Sequence, residues 1–281
     1  NRDGMSGVGG CSFCNGAAFV PAYANSTNSL LAQIENGISF HRKRNKKTDK
    51  YLAYLQSFSN TYAPVNILEK IYKEVLSHPD IVGIIISTRP DCIDDEKLDL
   101  IQQLSENHYI KIEYGVESTY DETLRAINRG HDFAATIDAF EKTHNRNIPT
   151  AAHIIFGLPG ESKEMIINQA NTISKIKPES LKIHQLQIMK GTAMAEQYES
   201  NPDLFAKLDL KEYLDILIKF IERLNPDIAI ERIASEVPKQ YQFSESNWGY
   251  VKYDYVLQLF KEMLKERNTY QGRLFQHTTV I

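Results

Sequence analysis

The chain has 281 residues, 42% of them apolar and 24% charged, which is enough for one large core or two small ones in an ordinary globular protein. Its net charge of −4 gives no blanket reason to expect nucleic-acid binding, although a local basic face is compatible with that balance. No run reaches the roughly 18 apolar residues of a membrane-spanning helix, nothing resembles a secretion signal, and three cysteines do not make a disulfide scaffold; a reducing cytoplasm fits this pattern.

The chain opens at "NRDGMSG", without an initiator Met, and reads as the remainder of something longer. "GGCSFCNG" (9–16) follows, placing Cys11 and Cys14 two residues apart among glycines. Two thiols at that spacing can share a metal or a cluster, but such sites usually take three or four protein ligands. Zinc is the competing occupant, yet no second C-x-x-C and no paired His lies downstream. "FHRKRNKK" (40–47) is the one basic run, read as a solvated helix end or a polyanion contact.

Apolar runs rich in β-branched residues then alternate with helical patterns. Strands are predicted over 51–58, 81–88, 109–117, 150–157, 180–189 and 227–235. Helices are predicted over 66–76, 94–107 with Asp94 as cap, about 119–128, 132–146, 162–176, a short one after 190, 210–224 and 253–267. Such alternation predicts a parallel sheet covered by helices through right-handed crossovers. Six βα units are too few for a closed eight-stranded barrel. The fold expected is α/β, a partial open (β/α)6 barrel in one domain over 1–281, with a core to about 235 and a C-terminal helical extension over 236–281.

Ligands of parallel α/β folds gather at the carboxyl ends of the strands. Those ends read "SFSNTYAP" (57–64), "TRPDC" (88–92), "ESTYDETLRAINRGH" (117–131), "GLPGES" (157–162), "KGTAMAE" (190–196) and "SEVP" (235–238). They are rich in groups that bind a polar cofactor.

These residues resemble a family. Cys11-Ser12-Phe13-Cys14 is the C-x-aromatic-C half of the radical S-adenosylmethionine (radical SAM) motif, and "QSFSNTYAP", "GVESTYDETLRAINRGH" and "FGLPGES" are similar to its later elements in the same order, together covering about 1–195. "NRDGMSGVGGCSFC", "NTYAP", "TRPDC" and "INRGH" further resemble the bacterial radical SAM proteins related to the catalytic subunit of Elongator, which modifies the wobble uridine of tRNA. In that group the first cysteine sits upstream, in "CPNRDG". The resemblance therefore implies a third cluster ligand just before Asn1, and an empty or disordered site in a chain without it.

The resemblance implies a [4Fe–4S] cluster held by Cys11 and Cys14, and S-adenosylmethionine bound at its open iron. An electron from the cluster then cleaves the sulfonium C–S bond to a 5′-deoxyadenosyl radical. Phe13 is expected to shield the cluster near adenine. Asn60 and Thr61 are expected beside the methionine end, although the family's usual Gly-Gly-Glu is absent there. Glu117 and Ser118 are expected near ribose or methionine, and Gly157, Leu158 and Gly160 near adenine. Partners implied are an electron donor such as flavodoxin or ferredoxin, and tRNA, with no membrane.

Other residues have two readings at this stage. Cys92 reads as a small packed residue rather than the missing ligand. Arg89 and Arg232 suit either an anionic group or structural ion pairs, and His184 suits either the barrel lumen or the core. Tyr62, Tyr114, Trp248 and Tyr250 are candidates for a substrate mouth or for core packing. The leading function is a radical SAM enzyme acting on tRNA. The alternatives are the same chemistry on a small metabolite or protein, a non-catalytic iron–sulfur or nucleic-acid binder, and a structural zinc protein. The acidic net charge argues mildly against RNA.

Overall fold

The computed structural model describes residues 8–16, 20–21, 23–24, 28–243, 248 and 251–276. Six strands lie in chain order in one sheet: β1 (Tyr51–Leu55), β2 (Ile81–Thr88), β3 (Tyr109–Glu117), β4 (Thr150–Phe156), β5 (Ser180–Gln185) and β6 (Ala229–Arg232). The β1–β2, β2–β3 and β5–β6 pairs are parallel. Sequential order with helical crossovers is the open (β/α)6 arrangement expected from the sequence; α5 (Phe133–His144) and α6 (Lys163–Ile176) lie before and after β4 in the chain, and α9 (Tyr253–Glu266) supplies the C-terminal helix.

The chain divides into two compact units, one of residues 16–115 and 138–151, the other of 1–15, 116–137 and 152–281. In the first unit, α2 (Val65–Leu76) and α3 (Asp95–Ser105) bury Tyr72, Val75, Leu98 and Ile101, and the strands bury Ile84, Ile86, Ile110 and Ile112. Asp94 caps α3 as expected, its side chain accepting from Lys97 N at 3.0 Å. In the second unit, Phe156 of β4 packs on Tyr213 and Phe220 of α8 (Leu210–Ile221), with centroids 5.9 and 5.1 Å away. Asp209 and Glu212 form a reciprocal capping box at the start of α8.

Three expectations shift, and Tyr114, open between two readings, takes the core one. The sequence signals helix α1 (Leu30–Arg44) only at its basic end, because Ile38 is its one buried residue and its apolar stripe is weak. β1 stops at Leu55 because Ser57 and Phe58 take left-handed φ angles of 78° and 63°. β5 and β6 are shorter than their apolar runs. Gln185, the last residue of β5, and Gln187 just past it donate side-chain amides to Ser235 O at 2.7 and 2.9 Å, in place of a backbone ladder. Tyr114 belongs to the core and not to a substrate mouth: it is fully buried, its hydroxyl bonded to Thr143 at 2.8 Å and its ring 5.0 Å from Phe140.

Candidate cofactor site

The Cys11–Cys14 loop is held by backbone bonds on both sides. α4 (Asp121–Ala126) ends in a Schellman motif: Arg129 N donates to Leu124 O at 2.9 Å and Asn128 N to Arg125 O at 3.0 Å, with Asn128 left-handed at φ 52°. The helix's spare carbonyl, Ile127 O, accepts from Ser12 N at 2.9 Å. On the other side, Ser12 O accepts from Met194 N at 2.9 Å, in the first turn of α7 (Ala193–Ser200). Asn15 Nδ2 adds a bond to Lys190 O at 3.0 Å. The loop closes on itself through Cys14 N to Cys11 O at 3.1 Å.

The same helix end supplies two side chains. Asn128 Nδ2 donates to Val8 O and Gly10 O, both at 2.8 Å. Gly9 and Gly10 there adopt φ angles of 84° and 76°, which favour glycine. Arg129, 5% exposed, donates from Nη1 to Cys11 Sγ at 3.2 Å, and its Nη2 lies 3.5 Å from Glu117 Oε1. Glu117 is a non-glycine residue at φ 65°, closing β3 in a conformation that costs about 1 kcal/mol or more.

The residues present fit an iron–sulfur group in part. Two half-buried sulfurs, Cys11 and Cys14, share one loop, with a guanidinium against one of them. Ser12 Oγ is buried with no hydrogen-bond partner among the described residues. Also among the described residues, no group of three or more His, Cys, Asp or Glu could hold a metal ion, so the described donors supply two ligands. Phe13 packs against a cluster that includes Leu124, Ile127, Leu158 and Met194.

At the end of β4, Leu158-Pro159-Gly160-Glu161 forms a turn closed by Glu161 N to Leu158 O at 3.2 Å. Gly160 takes φ 81°, as the third position of a type II turn after proline requires. Gly157 takes φ 90°; Leu158 is fully buried and Gly160 exposed. Glu161 turns inward, 5% exposed. It accepts from Ser118 Oγ at 2.5 Å and Gln169 Nε2 at 3.2 Å, while Gln169 Oε1 accepts from Thr119 N at 3.0 Å. Burial pushes the Glu161 carboxyl up to about 7, against the opposing pull of its hydrogen bonds from Ser118, Thr123 and Gln169.

The expected site residues thus fall into two groups. Cys11, Cys14, Phe13, Glu117, Ser118, Gly157, Leu158 and Gly160 belong to one unit, and Ser118 is fully buried with its hydroxyl committed to Glu161. Asn60 and Thr61 belong to the other, where their side chains are committed to the protein itself. Asn60 Nδ2 faces Leu55 O, Ser57 O and Ser87 O at 3.0, 3.3 and 2.9 Å. Thr61 Oγ1 donates to Cys92 O and meets Thr88 Oγ1, each at 2.6 Å. Both brace the joined ends of β1 and β2.

The residues with two readings are resolved in part. Cys92 is 3% exposed and burial pushes its thiol up, as a packed residue requires. Arg89 makes a bidentate pair with Asp91 at 2.8 and 2.6 Å, the structural reading. His184 lies with its ring 5.7 Å from that of His153, half-buried, while Arg232 is exposed. Trp248 donates to Leu208 O at 3.0 Å and packs on Tyr213, and Tyr62 is 43% exposed. Tyr250 and the "NRDG" segment lie outside the described residues. The sequence alone assigns no role to Asn128, Arg129 or Glu161. The Asn-Arg-Gly following a helical pattern was the available signal, since asparagine and glycine there mark a left-handed helix end.

The Radical SAM superfamily model matches residues 8–173, and the Radical_SAM C-terminal domain model matches 178–265. The uncharacterized protein YtqA of Bacillus subtilis is 34% identical over 281 residues, covering 98% of this chain and 84% of its own. The tRNA uridine(34) acetyltransferase of Methanocaldococcus infernus is 25% identical over 182 residues, covering 62% of this chain and 33% of its own. Among solved structures, the archaeal Elp3 of Methanocaldococcus infernus with an N-terminal deletion superposes with a TM-score of 0.71 at 19% identity, over 85% of this chain and 59% of that one. No helix among the described residues is long and apolar enough to cross a membrane. With a family model spanning more than half its length and a relative aligned over nearly all of it, the chain belongs to the radical SAM superfamily, whose enzymes bind a [4Fe–4S] cluster and S-adenosylmethionine.

Proposed function

We propose that this enzyme uses S-adenosylmethionine to modify a uridine of tRNA in the cytoplasm, fed by a flavodoxin or ferredoxin. The observation that carries the cofactor half is the Cys11–Arg129–Glu117 constellation on a loop held between two helix ends. Cys11 and Cys14 would be two of the cluster's ligands, and the described residues offer no third donor beside them. When bound, the cluster supplies the electron that cleaves S-adenosylmethionine to a 5′-deoxyadenosyl radical. Phe13 excludes water on one side. Glu117 offers a carboxylate to hydroxyl or ammonium groups, and Gly157, Leu158 and Gly160 present backbone to a flat heterocycle. Ser118, Asn60 and Thr61 act by holding strand ends in place, through Glu161 in the first case. The tRNA half is supported by the likeness to the tRNA uridine(34) acetyltransferase and archaeal Elp3.

The test is anaerobic. The protein is reconstituted with iron and sulfide, reduced, and assayed for 5′-deoxyadenosine with and without tRNA. The expected result is product that rises with tRNA and vanishes in Cys11→Ala and Cys14→Ala. Product that tRNA leaves unchanged would move the substrate to a small metabolite or protein. Zinc in place of iron, with no product under any condition, would remove the enzymatic reading.

A further inference from the structure

We propose that the last turn of α1 and the turn after it form a docking surface for an RNA backbone. Between 42 and 50 the sequence places six of the chain's 32 Lys and Arg against one of its 36 acids, leaving the remainder of the chain at −9. That asymmetry hides a cationic surface behind an acidic average. Every one of those six cations is on an exposed residue.

A cationic last turn has a bland explanation, because it complements the negative end of the helix dipole. One or two charges within the turn satisfy that need; Lys46 and Lys47 lie beyond it. Two of the six are also engaged locally. Arg42 pairs with Asp80 at 3.1 Å, and Lys50 Nζ donates to Pro79 O at 3.0 Å. Lys43, Arg44, Lys46 and Lys47 make no ion pair with an acid among the described residues. Four like charges so close repel one another unless a polyanion neutralises them.

The surface is ordered rather than a loose tail. Arg44 lies 4.3 Å over the Phe40 ring, which fixes its guanidinium. Phe40 in turn packs on Tyr23 and His41, with centroids 5.0 and 5.3 Å away, and Tyr23 Oη lies 3.4 Å from His41 Nε2. Gly37 makes room for this: a Cβ there would come within 3.2 Å of the Tyr23 ring. The following turn is closed by Lys47 N to Asn45 Oδ1 at 3.3 Å and Thr48 N to Asn45 O at 3.4 Å, which sets where Lys46 and Lys47 emerge. Basic side chains interleaved with aromatic rings suit phosphates and bases together. A lipid surface is the poorer match. Leu31, at the far end and 36% exposed, is the one exposed large hydrophobic of α1, so the basic turn has no apolar wedge to insert.

This inference rests on the proposal that the substrate is RNA, and the test separates the two. Binding of a labelled tRNA transcript and of an unrelated RNA hairpin is measured across a salt series with the full chain. The comparison is the exposed quadruple variant K43A/R44A/K46A/K47A, its fold checked by thermal melting. The expected result is at least about a tenfold loss of affinity near 100 mM salt, with the log–log salt slope smaller by about 3, for both RNAs. Equal affinity and slope in variant and parent would overturn the surface, as would binding to phosphatidylserine vesicles in the absence of RNA binding. If the slope falls as expected but tRNA never stimulates 5′-deoxyadenosine, the surface stands and the tRNA-modifying reading fails. If tRNA stimulates product while the variant binds unchanged, the surface fails alone.

Discussion

Arg129 and Cys11, 118 residues apart in sequence, meet at 3.2 Å, guanidinium nitrogen to sulfur. The guanidinium is itself held near Glu117, and all three are placed by the end of β3 and the left-handed close of α4. If Cys11 binds the cluster, as proposed above, a buried cation beside its sulfur stabilises the more negative, reduced cluster. Arg129→Gln is expected to lower the cluster's midpoint potential by an amount on the order of 100 mV, for a charge at roughly 4 Å in an intermediate dielectric. Redox titration of the reconstituted protein checks this, and an unchanged potential would deny Arg129 any electrostatic role.

Asn128 acts on the same loop without a charge. Asn128→Ala removes two bonds at 2.8 Å and forces a left-handed alanine, together about 2–3 kcal/mol lost locally. The iron and sulfide retained after reconstitution should fall. The melting temperature of the cluster-free protein should move by only a few degrees.

Glu161 gives the fold a pH dependence of known sign. Its carboxyl is raised to about 7 by burial, so the folded state binds the proton more tightly than the unfolded chain. Stability from this group is therefore greatest at low pH and declines as pH rises from about 4.5 to 7, by an amount on the order of 3 kcal/mol in all. Glu161→Gln, which keeps the shape and never ionises, should flatten that decline in urea melts at pH 5, 6, 7 and 8. A parallel decline in the variant would place the titration elsewhere.

Gly83 lies in β2 where β3 approaches closely. A Cβ there would sit 2.0 Å from Tyr109 O, a backbone atom that cannot swing aside. Gly83→Ala should destabilise the protein by about 3 kcal/mol or more, read as a lower urea midpoint. Val82→Ala, next to it and 42% exposed, serves as the mild control.

By itself the sequence determined the elements whose pattern is local. β2 and β3 run over 81–88 and 109–117 as expected, and Asp94 caps α3, because apolar alternation and capping chemistry act over a few residues. Ordered motifs at strand ends likewise carried the family. Only the tertiary structure decided where pairing stops, and which polar groups share a buried space. β5 and β6 end early because side-chain amides take over from the ladder, and Tyr114 lies under a helix although its strand ends at the site. Arg129 meets Cys11, and Glu161 meets Ser118 and Gln169, through contacts 118, 43 and 8 residues apart along the chain. Such pairs depend on packing that brings distant backbone together, and no periodicity in the chain encodes that distance.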